Sequence, residues 1–199
     1  MPLVELRGNT DLLMALRKFT PDLHKALKSE LRRALMPVVS QAKGFVTAES
    51  PMSHWEGRSF SEARFPTYNA SIIKSGIVLR IGADKPNKFG FNSVARIINQ
   101  SKVGAIYEMA GRNGPQDWVG PGVNMASNKV SHSVNKGAGA QFIKNLPPLT
   151  SSLQGRGRLI YKAWAANKGK PLGAAMKAID TATTLFYARN SKSRFERAA

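Results

Sequence analysis

The chain has no cysteine among its 199 residues. That absence excludes a disulfide scaffold, a Cys-type zinc site and a thiol nucleophile. Acids are also scarce, with five Asp and seven Glu scattered along the chain. They give little basis for a two-carboxylate hydrolase or a two-metal nuclease centre. The three histidines, His24, His54 and His132, each lack a carboxylate or a second histidine at ligand spacing, so no metal set is read from them. No window of about 18 apolar residues exists to span a bilayer. The opening "MPLVELRGNTDLL" puts acids where a secretory signal would need a basic and then an apolar run. The expectation is a protein made and used in the cytoplasm, or in something assembled there, with no membrane partner.

Catalytic signatures are missing too. There is no G-x-S-x-G elbow, and the strings "GPG", "GAG" and "GRGR" are not read as a strand that opens a helix, as a phosphate loop requires. No enzyme activity and no cofactor are expected.

What the chain does have is positive charge: 30 Lys and Arg against 12 Asp and Glu, a formal +18 and a pI near 10.7. Such a field attracts polyanions and says nothing about fold. Hydrophobic content of 42% with 21% charged residues is that of an ordinary globular chain. Aromatics are interleaved with cations in "FPTYNASIIK", "KFGF" and "LIYKAWAANKGK". No helix-turn-helix, zinc-finger or RNA-recognition signature accompanies them, so any nucleic-acid contact would be sequence-independent.

Thr20, Pro21 and Asp22 read as an N-cap, a first-position proline and a first-turn acid. Leu23, Leu27, Leu31, Leu35, Val38 and Ala42 then follow at helical spacing, with Lys25, Lys28, Arg32 and Arg33 on the other faces. Pro37 inside this pattern predicts a kink or a break. Upstream, Leu12, Leu13, Leu16 and Phe19 suggest a shorter helix led by Asn9 or Thr10. Residues 47–66 read as a long connection anchored by Trp55 and Phe65.

Ile77, Leu79 and Ile81 alternate with Val78 and Arg80 as in a half-buried strand, and "SVARIINQ" supplies a second across the loop "DKPNKFGFN". "VGAIYEMAGR" fits either a strand end or a short helix, stopped at Gly111. Residues 112–143, rich in Gly, Ser and Asn, read as an extended or disordered loop or arm. Two C-terminal stripes follow: Leu159, Ile160, Ala163 and Trp164, then Leu172, Ala175, Met176, Ile179 and Phe186 behind Pro171. From residue 151 on there are ten cations and two acids, and 188–199 reads as a fraying basic tail.

These elements predict one α+β domain over 1–199. A long N-terminal helix packs on a small antiparallel sheet, and a Gly-rich loop and C-terminal helices follow.

The segments "LRRALMPVVSQAKGFV", "SPMSHW", "RFPTYNASIIKSGI", "GAIYEMAGRNG" and "GRLIYKAWAANKGKPLGAAMKAI" resemble, in plan and order, the neck proteins of siphophages that infect actinobacteria. That family is also called tail-completion, head-to-tail connector or minor tail proteins. The resemblance runs from about residue 20 to 185 and rests on packing patterns. It implies a structural virion subunit without enzymatic activity, forming a ring of six or twelve copies between head and tail, assembled in the host cytoplasm and bound to other neck and tail proteins. The charge would then meet either genomic DNA in the lumen or acidic neighbours. The alternative is a sequence-independent nucleic-acid-binding protein. Arg32, Arg33, Lys162, Lys168 and Lys170 are the candidate DNA-facing or partner-facing cations; Leu27, Leu31 and Trp164 are the candidate packing or interface residues.

Overall fold

The computed structural model describes residues 3–7, 10–51, 55, 66–82, 93–112, 118–119, 123–124, 138–152, 155–167 and 169–196. Phe65, His54, His132, Lys168 and the loop "DKPNKFGFN" lie outside the described residues.

The chain opens with strand β1 (Leu3–Arg7) and helix α1 (Thr10–Phe19), then the 24-residue helix α2 (Pro21–Gly44). Leu23, Leu27, Leu31, Leu35, Val38, Val39 and Ala42 are all buried, so the stripe read from the sequence is the packing face of α2. The helix does not break at Pro37. The proline removes one main-chain donor, but Val38, Val39 and Ala42 beyond it are pinned in the core.

Helix α3 (Ala70–Gly76) starts at Asn69, whose side chain accepts the Ile72 amide at 3.0 Å. It runs directly into β2 (Ile77–Ile81), which pairs antiparallel with β3 (Ser93–Asn99). The predicted strand pair is therefore present, but β1 also pairs with β3 and makes the order β1-β3-β2. Five residues with one acid, "LVELR", carry too little pattern to announce a strand; β3 supplies the partner. Ile77, Ala95 and Ile97 share one face of the sheet and are buried, and α2 lies against β2.

The ambiguous segment is helix α4 (Lys102–Met109), capped by Ser101, whose hydroxyl accepts the Gly104 amide at 3.1 Å. Gly111 follows it at φ 75°, a left-handed position that suits glycine. Within 112–143, Trp118–Val119 (β4) pairs with Val123–Asn124 (β5). Residues 138–143 belong to helix α5 (Ala138–Asn145) and not to a loop. Its eight residues, led by Gly and Ala, are too short to show a period; Phe142 is held from outside, edge-on to Trp55 at 5.0 Å.

A hairpin of β6 (Thr150–Ser152) and β7 (Gly155–Gly157) leads into α6 (Ile160–Ala166), and α7 (Lys170–Glu196) closes the fold. Leu159, Ile160, Ala163 and Trp164 are buried as expected. The expected α7 stripe holds in part: Ala175 is buried and Ile179 and Phe186 pack against the core, whereas Leu172 and Met176 are exposed and Pro171 and Ala182 complete the buried face. The two long helices pack together, and small side chains, Ala26 and Ala34 of α2 and Ala174, Ala178 and Ala182 of α7, line the groove between them. Arg189 near the end of α7 bonds Asp22 at the start of α2 (2.6 Å), and Asn167 before α7 bonds Gln41 near the end of α2 (2.6 Å), so the two helices run antiparallel. The segment expected to fray from residue 188 is helical to Glu196. Arg189 docks it on α2.

Candidate functional site

The densest polar chemistry sits where α4 meets α6. Glu108 has no solvent exposure, and its two oxygens are taken up by the opening of α6. The Leu159 and Ile160 amides donate to Oε2 at 2.5 and 3.2 Å, and the Tyr161 amide donates to Oε1 at 3.1 Å. A carboxylate from another helix thus does the work that a local N-cap would do, meeting both the free amides and the positive end of α6.

Burial pushes the Glu108 carboxyl above its ordinary pKa, against the amides of Tyr161, Leu159, Ile160 and Arg158, which pull it down. Arg158, itself buried, donates from Nε to the Pro147 carbonyl and from Nη1 to the carbonyls of Tyr107 (3.1 Å) and Ala110 (2.8 Å). Burial lowers its pKa, opposed by the charges of Tyr107 and Glu108. One cation thereby ties the end of α4 to the chain before α6.

Gly157 exists to let this happen. A Cβ there would lie 2.2 Å from Glu108 Oε1 and 2.5 Å from Tyr161 Cδ2. Gly155, at φ 143°, lets Arg112 approach, and the Arg112 guanidinium lies 5.3 Å from the Tyr161 ring centre. The reading of "GRGR" is corrected here, because these residues do form a strand that opens a helix. The anion they cradle is the chain's own Glu108. Buried and bonded on both oxygens, that carboxylate is an architectural element with no access to a substrate.

Beside it stands an aromatic cluster. Trp55 stacks on Tyr107 at 6.2 Å and is tilted against Tyr68 at 5.2 Å. The Trp55 indole donates to the Pro66 carbonyl (2.9 Å) and the Tyr68 hydroxyl to the Thr47 carbonyl (2.6 Å). Trp55 is thus the anchor of the 47–66 connection that its sequence position implied.

Comparison of the chain with models of protein families, with curated proteins and with solved structures finds no match.

The residues themselves therefore carry the functional reading. Among the described residues no three metal-ligating side chains converge, and no helix is long and apolar enough to cross a membrane. Leu27, Leu31 and Trp164 are buried inside the subunit at 2%, 0% and 7% exposure, so they pack the core. The four described candidate cations do not gather in one place. Arg33 pairs with Glu30 at 2.5 Å on the flank of α2 that faces α7. Arg32 is exposed on the other flank. Lys162 lies over the Phe45 ring at 4.4 Å, at the end of α2, and Lys170 is exposed at the start of α7.

Sequence reasoning missed Glu108 and Arg158. The available signal was an isolated acid in an apolar segment, the single one between Asp84 and Asp117, together with an arginine set directly between Gly157 and an apolar helix.

Proposed function

We propose that the chain is a structural subunit of a siphophage neck, a ring protein that completes the junction of head and tail. The observation that carries this reading beyond the ordered resemblance of its segments is the outer face of α7. Among the described residues, four of the seven exposed large apolar side chains, Leu172, Met176, Leu185 and Tyr187, lie on that one helix. Leu172, Met176 and Tyr187 recur at spacings that keep them on one side of it. Clustered exposed apolar residues on a chain this charged support a surface made to be covered.

A closed ring needs two different complementary patches on each subunit. The α7 stripe is one. The groove between α2 and α7, of about 360 Å³ and lined by Leu23, Ala26, Ala34, Ala178 and Leu185, is suited to be the other. The buried Glu108 cluster supports a scaffold, because it commits the most reactive-looking carboxylate to holding two helices together.

The reading is tested by native mass spectrometry and electron microscopy of the purified chain, alone and with the neck and tail proteins of the same particle. Rings of six or twelve copies support it. The double substitution Leu172→Asp with Met176→Asp should leave a folded chain that no longer forms rings, since both side chains are exposed in the subunit. Rings unaffected by it would remove α7 from the interface.

A further inference from the structure

Helix α2 carries its charges unevenly. Its two acids, Asp22 and Glu30, are both spent in pairs, with Arg189 of α7 and with Arg33. Lys25, Lys28, Arg32 and Lys43 fall elsewhere: at 3.6 residues per turn they share an arc of about 60° on the flank away from the α7 groove. Lys25 and Arg32 are exposed, Lys28 and Lys43 half-buried. The stripe contains no acid, and among the described residues none of its four cations is ion-paired. Exposed Arg17 of α1 extends it. Arg17 and Lys28 both act on half-buried His24, whose proton affinity is lowered first by burial and then by these two charges. Positive potential is therefore concentrated along this edge.

We propose that this flank of α2 binds the phosphate backbone of double-stranded DNA without reading its sequence. The stripe from Lys25 to Lys43 is about 27 Å long at 1.5 Å per residue, a little under one turn of the duplex, over which one strand presents a phosphate every ~3.4 Å of axis. Four lysine or arginine contacts with no neighbouring acid are the means by which proteins hold phosphates in position. An acidic protein is the weaker fit, because the cores of protein interfaces are depleted in lysine and enriched in aromatics and methionine, and this edge of α2 exposes no aromatic and a single methionine, Met36, beside the cations. The inference does not require a ring. It concerns the surface of the free chain and stands or falls apart from the neck reading.

The test is fluorescence anisotropy of the full-length chain with two 30-bp duplexes of unrelated sequence, between 50 and 300 mM salt. Four phosphate contacts predict a slope of log K on log salt of about −3.6, equal for both duplexes. The variant K25Q/K28Q/R32Q/K43Q should bind at least tenfold more weakly at 50 mM salt and bring the slope towards zero. The control R33Q/K177Q, on the α7 flank, should keep the slope within about one unit of wild type. Circular dichroism confirms folding. If the quadruple variant unfolds, K25Q and R32Q singly should each reduce the slope by about one. The proposal is overturned if wild type fails to bind duplex at 50 mM salt, if the stripe variants bind like wild type, or if the control loses binding instead. Polyglutamate that displaces duplex at equal or lower charge concentration would also overturn it, in favour of an acidic protein partner.

Discussion

Replacing Glu108 with alanine should be among the most damaging single changes available to this chain. The substitution strips acceptors from the amides of Leu159, Ile160 and Tyr161, all inside the fold. A buried donor left without a partner costs about 1–3 kcal/mol. It also removes a negative charge whose field favours buried Arg158, which keeps its own bonds to the Tyr107 and Ala110 carbonyls. These effects overlap, because the same carboxylate supplies both, so we expect a loss of about 4–6 kcal/mol and not their sum. Set against a typical total of about 5–15 kcal/mol, that loss leaves a marginal protein.

In urea, with a slope near 2 kcal/mol per molar, the midpoint should fall by about 2–3 M. Glu108→Gln should fall between, since it keeps one acceptor oxygen and places an amide donor where the other stood. The pH dependence has a defined sign. Burial raises the native pKa of Glu108 above its unfolded value near 4.5. Its contribution is therefore fully present below that unfolded value and is lost as pH rises through the raised native one. Across that window wild type should lose stability relative to Glu108→Gln, which has no proton to release. A midpoint for Glu108→Ala within about 0.5 M of wild type would refute the capping role, and a wild-type advantage that grows with pH in this window would refute the raised native pKa.

Gly157→Ala should destabilise by more than about 2 kcal/mol, because its Cβ would meet a carboxylate that cannot move without uncapping α6; thermal melting is the check. Leu31→Asp should abolish soluble folding, placing a charge at a site with 0% exposure, whereas Arg32→Glu should change the melting midpoint by no more than an ordinary surface substitution. Asp22→Asn should leave the thermal midpoint close to that of wild type despite the 2.6 Å pair with Arg189, since both partners are more than half exposed, and any loss should shrink in high salt.

The long helices were legible because large apolar residues recur with helical period, and in α2 the predicted stripe is the buried one. The same rule placed the face of α7 only in part. Ala175, Ile179 and Phe186 do turn inward, but Ala182 joins them there and the larger Leu172 and Met176 face outward. A pattern weighted by size looks for bulk, while close helix packing selects small side chains. Strand β1 was hidden for another reason: five residues cannot show a period, and their conformation is set by β3, some ninety residues away. Glu108 and Arg158 lay beyond sequence reasoning because their roles depend on a meeting of α4 and α6 across some fifty residues. Their nearest clue was the need for glycine at position 157. Composition had drawn attention to basic residues as one class. The fold divides them: Arg158 is structural, Arg33 and Arg189 are spent in pairs, and Lys25, Lys28, Arg32 and Lys43 line an edge without acids.

The proposed role is tested most directly by quantitative mass spectrometry of purified virions from a phage that encodes this chain. A neck subunit predicts its presence at six or twelve copies per particle, retained after washing in high salt. Its absence from particles that are otherwise complete would contradict the assignment.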